Sequence, residues 1–440
     1  MAQVPALWGP FTSLHDVMEH GPLVIERAEG VRVYDGEGRE YIDAHGGLWL
    51  VNVGYGRQSI VDAMFRQAET LTWFPSFGGF ANPPALKLAE KLRSLFEEDG
   101  MATVFFSGSG SEANETALKL VRQYWRIRKP SKFKLIGRRQ AYHGVTLGAL
   151  SVAGIPGNRE AFEPLLTQVR HIPAPDHMHC PFHADGAPCT AACADELERT
   201  ILFEGPDTVA AFIMEPVQGA GGVIIPPPDY MARVRAICDR YEVLLISDEV
   251  ICGFGRLGAW SGARFYGVKP DLMTFAKGLT SGYFPLGATM VRAEMAEAFL
   301  EQAMAGPEFR HGNTYSGHPV GAAAALANIE ILEKEHVLEH VQRLDDPFRA
   351  ALRSVRERHH DLVVDADSVG LLGRVELAGT SGGPTGASRA AGAAAAMRAD
   401  GVIARPAGAV ITLSPPLIIG EADLFHVVDV MDRALGALAR

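Results

Sequence analysis

Between residues 100 and 320 the chain alternates short, continuously apolar runs with longer segments whose apolar residues recur at helical spacing. The runs fall at 103–106, 133–136, 209–214, 243–247, 272–276 and 288–291, and the amphipathic segments between them include 112–128 and 230–241. A strand that is apolar throughout must be covered on both faces, and interleaved helices supply that cover. The pattern therefore predicts an α/β fold with a mostly parallel sheet flanked by helices. In such sheets ligands gather at the carboxyl ends of the strands, so the residues that follow each run are where chemistry is expected.

The two ends read differently. Leu23-Val24-Ile25 and Val31-Arg32-Val33-Tyr34, with Asp35-Gly36 and Glu37-Gly38 as turn signals, predict small antiparallel strands. After an Ala-rich helix near 321–335 the order is helix, strand, helix, then strands near 371–377 and 410–413, while the Gly-, Ser- and Thr-rich stretch 379–392 is expected to be mobile. We expect a large domain over 56–325 and a small α/β domain assembled from 1–55 and 326–440.

Composition narrows the function classes. A net charge of -11 disfavours nucleic acid, which needs a concentrated basic surface. The basic stretch 122–139 is interleaved with Tyr124, Trp125 and Phe133 and reads as the solvated face of a helix and the start of a strand. Neither a leader-like start nor an apolar run long enough for a bilayer is visible, which argues against a membrane partner. Five cysteines, an odd number, fit a reducing compartment, so the expected location is the cytoplasm. His177, His179, Cys180, His183, Cys189 and Cys193 cluster in sequence, yet their spacing matches no paired CxxC arrangement, and no metal is expected there.

Three strand ends carry the chemistry. Val104-Phe105-Phe106 runs into Ser107-Gly108-Ser109-Gly110-Ser111, with a helix expected from Glu112. Glycines permit the tight turn, and the amides of Gly110 and Ser111 at a helix N-terminus would suit a phosphate; alone, the segment fits a flexible turn equally. Val243-Leu244-Leu245-Ile246-Ser247 delivers Asp248, a carboxylate among apolar neighbours that needs a cationic partner, whether an ordinary ion pair or a protonated pyridine nitrogen. Leu272-Met273-Thr274-Phe275-Ala276 delivers Lys277, whose amine, if buried, loses its charge readily and can condense with an aldehyde. Phosphate, pyridine nitrogen and aldehyde are the three groups of pyridoxal 5'-phosphate (PLP).

The ordered segments Ser109-Gly110-Ser111-Glu112-Ala113-Asn114, Tyr142-His143-Gly144, Glu215-Pro216-Val217-Gln218-Gly219, Ser247-Asp248-Glu249-Val250, Gly253-Phe254-Gly255-Arg256 and Ala276-Lys277-Gly278 resemble class III aminotransferases of PLP fold type I over almost the whole chain. The resemblance implies that Lys277 holds PLP as an imine and shuttles the substrate proton, while Asp248 keeps the pyridine nitrogen protonated. It implies further that Tyr142 and Val250 cover the two ring faces, with His143 beside them and Glu215 nearby, and that Gly110 and Ser111 hold the phosphate. Thr314, in His311-Gly312-Asn313-Thr314-Tyr315, resembles a threonine that reaches the phosphate from a second subunit, which implies a homodimer with shared sites, alone or paired into a tetramer.

Within the family the chain resembles the omega-amino acid or amine:pyruvate subgroup, through Gly46-Gly47-Leu48-Trp49 and Val51-Asn52-Val53-Gly54-Tyr55-Gly56. That likeness implies transfer of an amino group from a primary amine or omega-amino acid to pyruvate or another small keto acid, in a ping-pong cycle through pyridoxamine phosphate. Relatives acting on 4-aminobutyrate or acetylornithine usually carry glutamine at the position of Ile251 and arginine at that of Val145. Trp49, Phe11 and Tyr142 would line an apolar donor pocket, although Phe11 fits a core position as well. Arg405 resembles the arginine that pairs bidentately with a substrate carboxylate. An aminomutase or decarboxylase on the same scaffold is the rival reading, since fold does not fix reaction.

Overall fold

Among the residues described by the structure, a computed structural model covering 5–182, 190–303 and 308–438, fifteen strands form three sheets. The N-terminal strands are β1 (Ile25–Glu29), β2 (Arg32–Asp35) and β3 (Glu40–Asp43). The central ones are β4 (Met101–Ser107), β5 (Lys134–Arg138), β6 (Val169–Ile172), β7 (Val209–Met214), β8 (Leu244–Asp248), β9 (Leu272–Phe275) and β10 (Gly287–Arg292). The C-terminal ones are β11 (Val363–Val369), β12 (Leu372–Leu377), β13 (Val402–Ile403), β14 (Arg405–Ala407) and β15 (Val410–Leu413).

The central sheet has the order β4-β10-β9-β8-β7-β5-β6. All its pairings are parallel except those of β10, which runs antiparallel to both β4 and β9. β7, β8 and β9 are buried along their whole length, as their unbroken apolar runs require. The helix Gly110–Arg128 packs one face on this sheet, burying Ala113, Ala117, Leu118 and Val121, with Trp125 Nε1 donating to the carbonyl of Ala210 at 2.8 Å. Its start is fixed by Ser109, whose hydroxyl accepts from the Glu112 amide at 3.2 Å, so the helix opens at Gly110, two residues earlier than expected.

The chain's ends meet as the sequence suggested. β13 pairs in parallel with β3, Val402 opposite Ile42 and Ile403 opposite Asp43, so one small sheet draws strands from both ends. β11, β12, β15 and β14 form a second antiparallel sheet, against which the helix Val337–Arg358 buries Phe348 and Leu352. Arg256 joins these parts. Its fully buried guanidinium donates to the carbonyl of Pro415 at 2.6 Å and to Asn52 Oδ1 at 3.0 Å.

Several expectations need correction. The edge strand β6 was not expected, because its sequence Val-Arg-His-Ile is only half apolar and an edge position tolerates that. The stretch 379–392, expected to be mobile, is helical from Gly386 onward; Thr385 caps it by accepting from the Ser388 amide at 3.1 Å. The basic stretch is not wholly solvated: Lys132 is buried and donates to the carbonyls of Pro206, Val209 and Tyr241 at 3.0 Å each, and Arg138 is fully buried. In the His/Cys segment, His183 and Cys189 lie outside the described residues. Cys180 and Cys193 are buried in an apolar cluster with Leu197 and Tyr230, and His179 Nε2 lies 2.6 Å from Glu376 Oε1. No helix among the described residues is long and apolar enough to cross a membrane.

Phe275 lies two residues before Lys277, with its ring centroid 4.8 Å from that of Phe96 and 5.3 Å from that of Phe254. Phe275→Ala should lower the unfolding free energy of the cofactor-free protein by about 3–5 kcal/mol, the usual cost of an emptied aromatic site. Denaturant titration measures it, and a loss below about 1 kcal/mol would mean that the cluster collapses to fill the space.

Candidate active site

Strand ends β4, β8 and β9 open on one cleft of about 490 Å³. Gly110, Ser111, Tyr142, His143, Glu215, Asp248, Val250 and Lys277 all line it, together with Trp49, Phe11 and Arg405. Thr314 does not; it sits exposed on the turn before the helix Pro319–Lys334. Phe11 is 69% exposed at the cleft rim, so it is no core residue of this chain.

Each element reaches the cleft for a local reason. Gly110 and Ser111 are the first residues of their helix, so their N–H groups have no intrahelical acceptor. A Cβ at 110 would lie 3.0 and 3.1 Å from the two methyls of Val250, so any larger residue there would have to push that side chain back. Trp49 arrives through a left-handed turn, Gly46 at φ 54°, Gly47 at 56°, Leu48 at 83° and Trp49 itself at 61°. A side chain at Gly46 would meet the Ser414 carbonyl at 2.5 Å, which accounts for the Gly-Gly pair. Lys277 follows β9 with φ 41°, a backbone state that non-glycine residues seldom adopt outside functional sites.

Asp248 is 2% exposed and well supplied with donors. Its Oδ2 lies 2.7 Å from His143 Nδ1 and accepts from Asn114 Nδ2 at 2.8 Å, while Oδ1 accepts from the Val250 amide at 3.1 Å. Glu215 is buried too; it accepts from the amides of Tyr142 at 2.9 Å and Gly219 at 3.0 Å, and burial pushes its carboxyl up from the ordinary range. Glu249 faces away from the cleft, accepting from the amides of Gly262 at 2.7 Å and Ala263 at 2.8 Å, and burial raises it to about 7.

The two cations of the cleft are without a carboxylate partner at contact distance among the described residues. Burial lowers Lys277 to about 8, more than Asp248 and Glu215 raise it. The Arg405 guanidinium stands 5.0 Å from the centre of the Trp49 ring, and burial lowers it as well. His45 packs edge-on against the same indole at 4.5 Å, and burial with nearby Arg405 and Lys277 depresses it to about 3, so the ring is neutral.

Chemically, the cleft combines an amine that is easily neutralised, a buried carboxylate, a pair of outward amides and a free guanidinium. Those groups fit PLP: amides for its phosphate, a carboxylate for its ring nitrogen, an amine for its aldehyde. Sequence reasoning missed Asn114 and Thr274, which link to Asp248 by the Thr274 hydroxyl donating to Asn114 Oδ1 at 2.8 Å. A signal was present, because Asn114 is a polar residue on the buried stripe of its helix.

Residues 15–435 match the family model for class III aminotransferases. The chain belongs to that family. It is 40% identical to the putrescine–pyruvate aminotransferase of Pseudomonas aeruginosa over 98% of this chain and 94% of that one. It is also 40% identical to an omega-aminotransferase of Caulobacter vibrioides, over 98% and 97% of the respective chains. An amine transaminase from an uncultivated Pseudomonas species, solved in its PLP-bound form, superposes with a TM-score of 0.93 over 99% of this chain and 100% of that one, at 36% identity. The class III aminotransferase described here is thus a PLP-dependent enzyme of fold type I.

A low amine pKa has a direct consequence. The rate at which the cofactor-free enzyme captures an aldehyde at Lys277 should rise with pH and level off above about 8. Surface lysines would continue to gain reactivity to about 10.4. Peptide-resolved reductive alkylation across about pH 6–11, from below the Lys277 value to above the ordinary lysine value, separates the two. A Lys277 profile still climbing at the ordinary lysine value would show that the carboxylates outweigh burial.

Proposed function

We propose that this aminotransferase moves an amino group from a primary amine or omega-amino acid to pyruvate or another small keto acid. The observation that carries the reading is Arg405, a guanidinium over Trp49 with no carboxylate partner at contact distance among the described residues, in a cleft whose apolar lining includes Trp49, Tyr142, Val250 and Ile251. An unpaired, partly buried arginine is suited to a substrate carboxylate. The plain-amine donor needs none, and the apolar wall accommodates its carbon chain. Ile251 on the wall and the exposed Val145 stand where relatives acting on 4-aminobutyrate usually carry glutamine and arginine, which disfavours that particular omega-amino acid as the donor.

The geometry supports an assignment of roles. Bound PLP supplies an aldehyde for the amine and a ring that takes up the electron pair left when the substrate proton departs. Lys277 Nζ would hold the cofactor through its aldehyde and, as a free amine, would move the substrate proton. Asp248 retains a proton on the ring nitrogen, with its own orientation set by His143 and Val250. The Gly110 and Ser111 amides receive the phosphate. Tyr142 and Val250 cover the ring faces, and Glu215 fixes the Tyr142 backbone.

We place the functional unit in a homodimer in which Thr314 completes the partner's phosphate site. Support comes from its exposure outside its own cleft and from its neighbourhood: Tyr315 stands 6.3 Å from Trp73, and Trp73, Phe74, Phe77 and Phe80 are all exposed. An apolar surface of that kind marks an interface. The division into a large part over 56–325 and a small part from both ends is supported by the pairing of β3 with β13.

Two outcomes test these readings. Arg405→Ala should slow the half-reaction with pyruvate about 10–100-fold, the worth of a charged hydrogen-bonded pair, and leave the half-reaction with a plain amine nearly unchanged. Stopped-flow spectroscopy resolves the two, and equal damage to both would assign Arg405 a structural role. Mixing Lys277→Ala with Thr314→Ala chains should rebuild one site bearing both native groups and recover part of the cofactor affinity. Mixed dimers with no regained affinity would remove Thr314 from the partner's site.

A further inference from the structure

We propose that Asn114 is a positioning residue that fixes the direction of the Asp248 carboxylate and ties it to the strand that presents Lys277. The inference rests on the reading of Asp248 as partner of the ring nitrogen. Asn114 is 1% exposed, and every polar function of its side chain is used. Nδ2 donates to Asp248 Oδ2 at 2.8 Å and to the His143 carbonyl at 2.7 Å; Oδ1 accepts from the Thr274 hydroxyl at 2.8 Å. Both acceptors demand the amide's N–H groups, so a flipped amide would set its oxygen against the oxygens of Asp248 and His143, whereas the Thr274 hydroxyl can serve either orientation.

Four structural elements meet at this one amide. The helix that carries Asn114 starts at Gly110, the proposed phosphate turn, one helical turn away. Asp248 ends β8, and Thr274, its register partner on β9, stands three residues before Lys277. His143 supplies both a carbonyl to Asn114 and a ring nitrogen to Asp248. Asp248 Oδ2 is therefore filled by two side-chain donors. Oδ1, which takes only the Val250 amide at 3.1 Å, keeps a lone pair for a further donor. Aspartate in place of Asn114 would set a second carboxylate within hydrogen-bond distance of Asp248, and one shared proton would then neutralise half of the pair.

The test compares two ligands of the cofactor-free enzyme by equilibrium dialysis: PLP, and its 1-deaza analogue, in which a ring C–H replaces the nitrogen. Asn114→Asp and Asn114→Ala should weaken PLP about 10–100-fold, the range for a hydrogen bond to a charged group, and leave the deaza analogue unchanged or better bound. Thr274→Val, which removes one of the three hydrogen bonds that hold the amide, should produce a smaller loss confined to PLP. Retained binding of the analogue certifies that the variants are folded. If the Asn114 variants lose both ligands equally, or neither, Asn114 is only structural and the inference fails. Asp248→Ala is the control for the underlying reading: a loss confined to PLP supports it, and an equal loss of both ligands overturns it and the inference together.

Discussion

A carboxylate 2% exposed, at the end of the central strand β8, sets terms that its surroundings must meet. Burying a charge without compensation is prohibitive, so Asp248 draws donors from three directions: a loop through His143, a helix through Asn114 and its own strand end through Val250. Each of those groups sits on an element that also builds the cleft. The loop bears Tyr142, the helix begins at Gly110 and Ser111, and the methyls of Val250 crowd the position of Gly110. Moving Asp248 would thus disturb all three of these walls of the cleft at once.

The same physical rule decided what could be read in the sequence. Lys277 and Asp248 were legible because each charged residue interrupts an apolar run at its carboxyl end, and strand ends are where parallel sheets place ligands. The Gly46-Gly47 turn was legible as a motif, though only the structure gives its cause, the Ser414 carbonyl 2.5 Å from where a Cβ would stand. Features that depend on a partner far along the chain were hidden. Arg138 and Lys132 looked like solvated charge because nothing local announces the carbonyls that receive them. β6 was hidden because an edge strand can alternate polar residues and still pair with β5. The glycine-rich stretch concealed a helix because Thr385 caps it, and a cap needs one residue rather than a pattern.

The distribution of charge gives the cleft its reactivity. Two buried cations outside it donate to carbonyl oxygens: Arg256 to Pro415, and Lys132 to Pro206, Val209 and Tyr241. Buried carboxylates nearby are satisfied by amides, Glu215 by Tyr142 and Gly219, and Glu249 by Gly262 and Ala263. Neutral dipoles thus serve charges that elsewhere would pair with one another. Lys277 and Arg405 are left without carboxylates at contact distance among the described residues, and both are lowered by burial.

That arrangement couples the two cations. Arg405 disfavours the charged form of Lys277, whereas Asp248 and Glu215 favour it, and desolvation exceeds each of them. A substrate carboxylate that pairs with Arg405 would cancel the repulsion and admit a negative charge near Trp49, shifting Lys277 upward. A plain amine would bring no such negative charge, and the Lys277 amine would stay lowered by burial. The lysine that moves the proton would therefore sense which substrate is bound through the arginine alone, without any change in the hydrogen bonds around Asp248. Under the proposed function the two tasks are separate, proton movement at the strand end and carboxylate recognition on the C-terminal strand β14, and that separation would let one cleft serve chemically unlike substrates in succession.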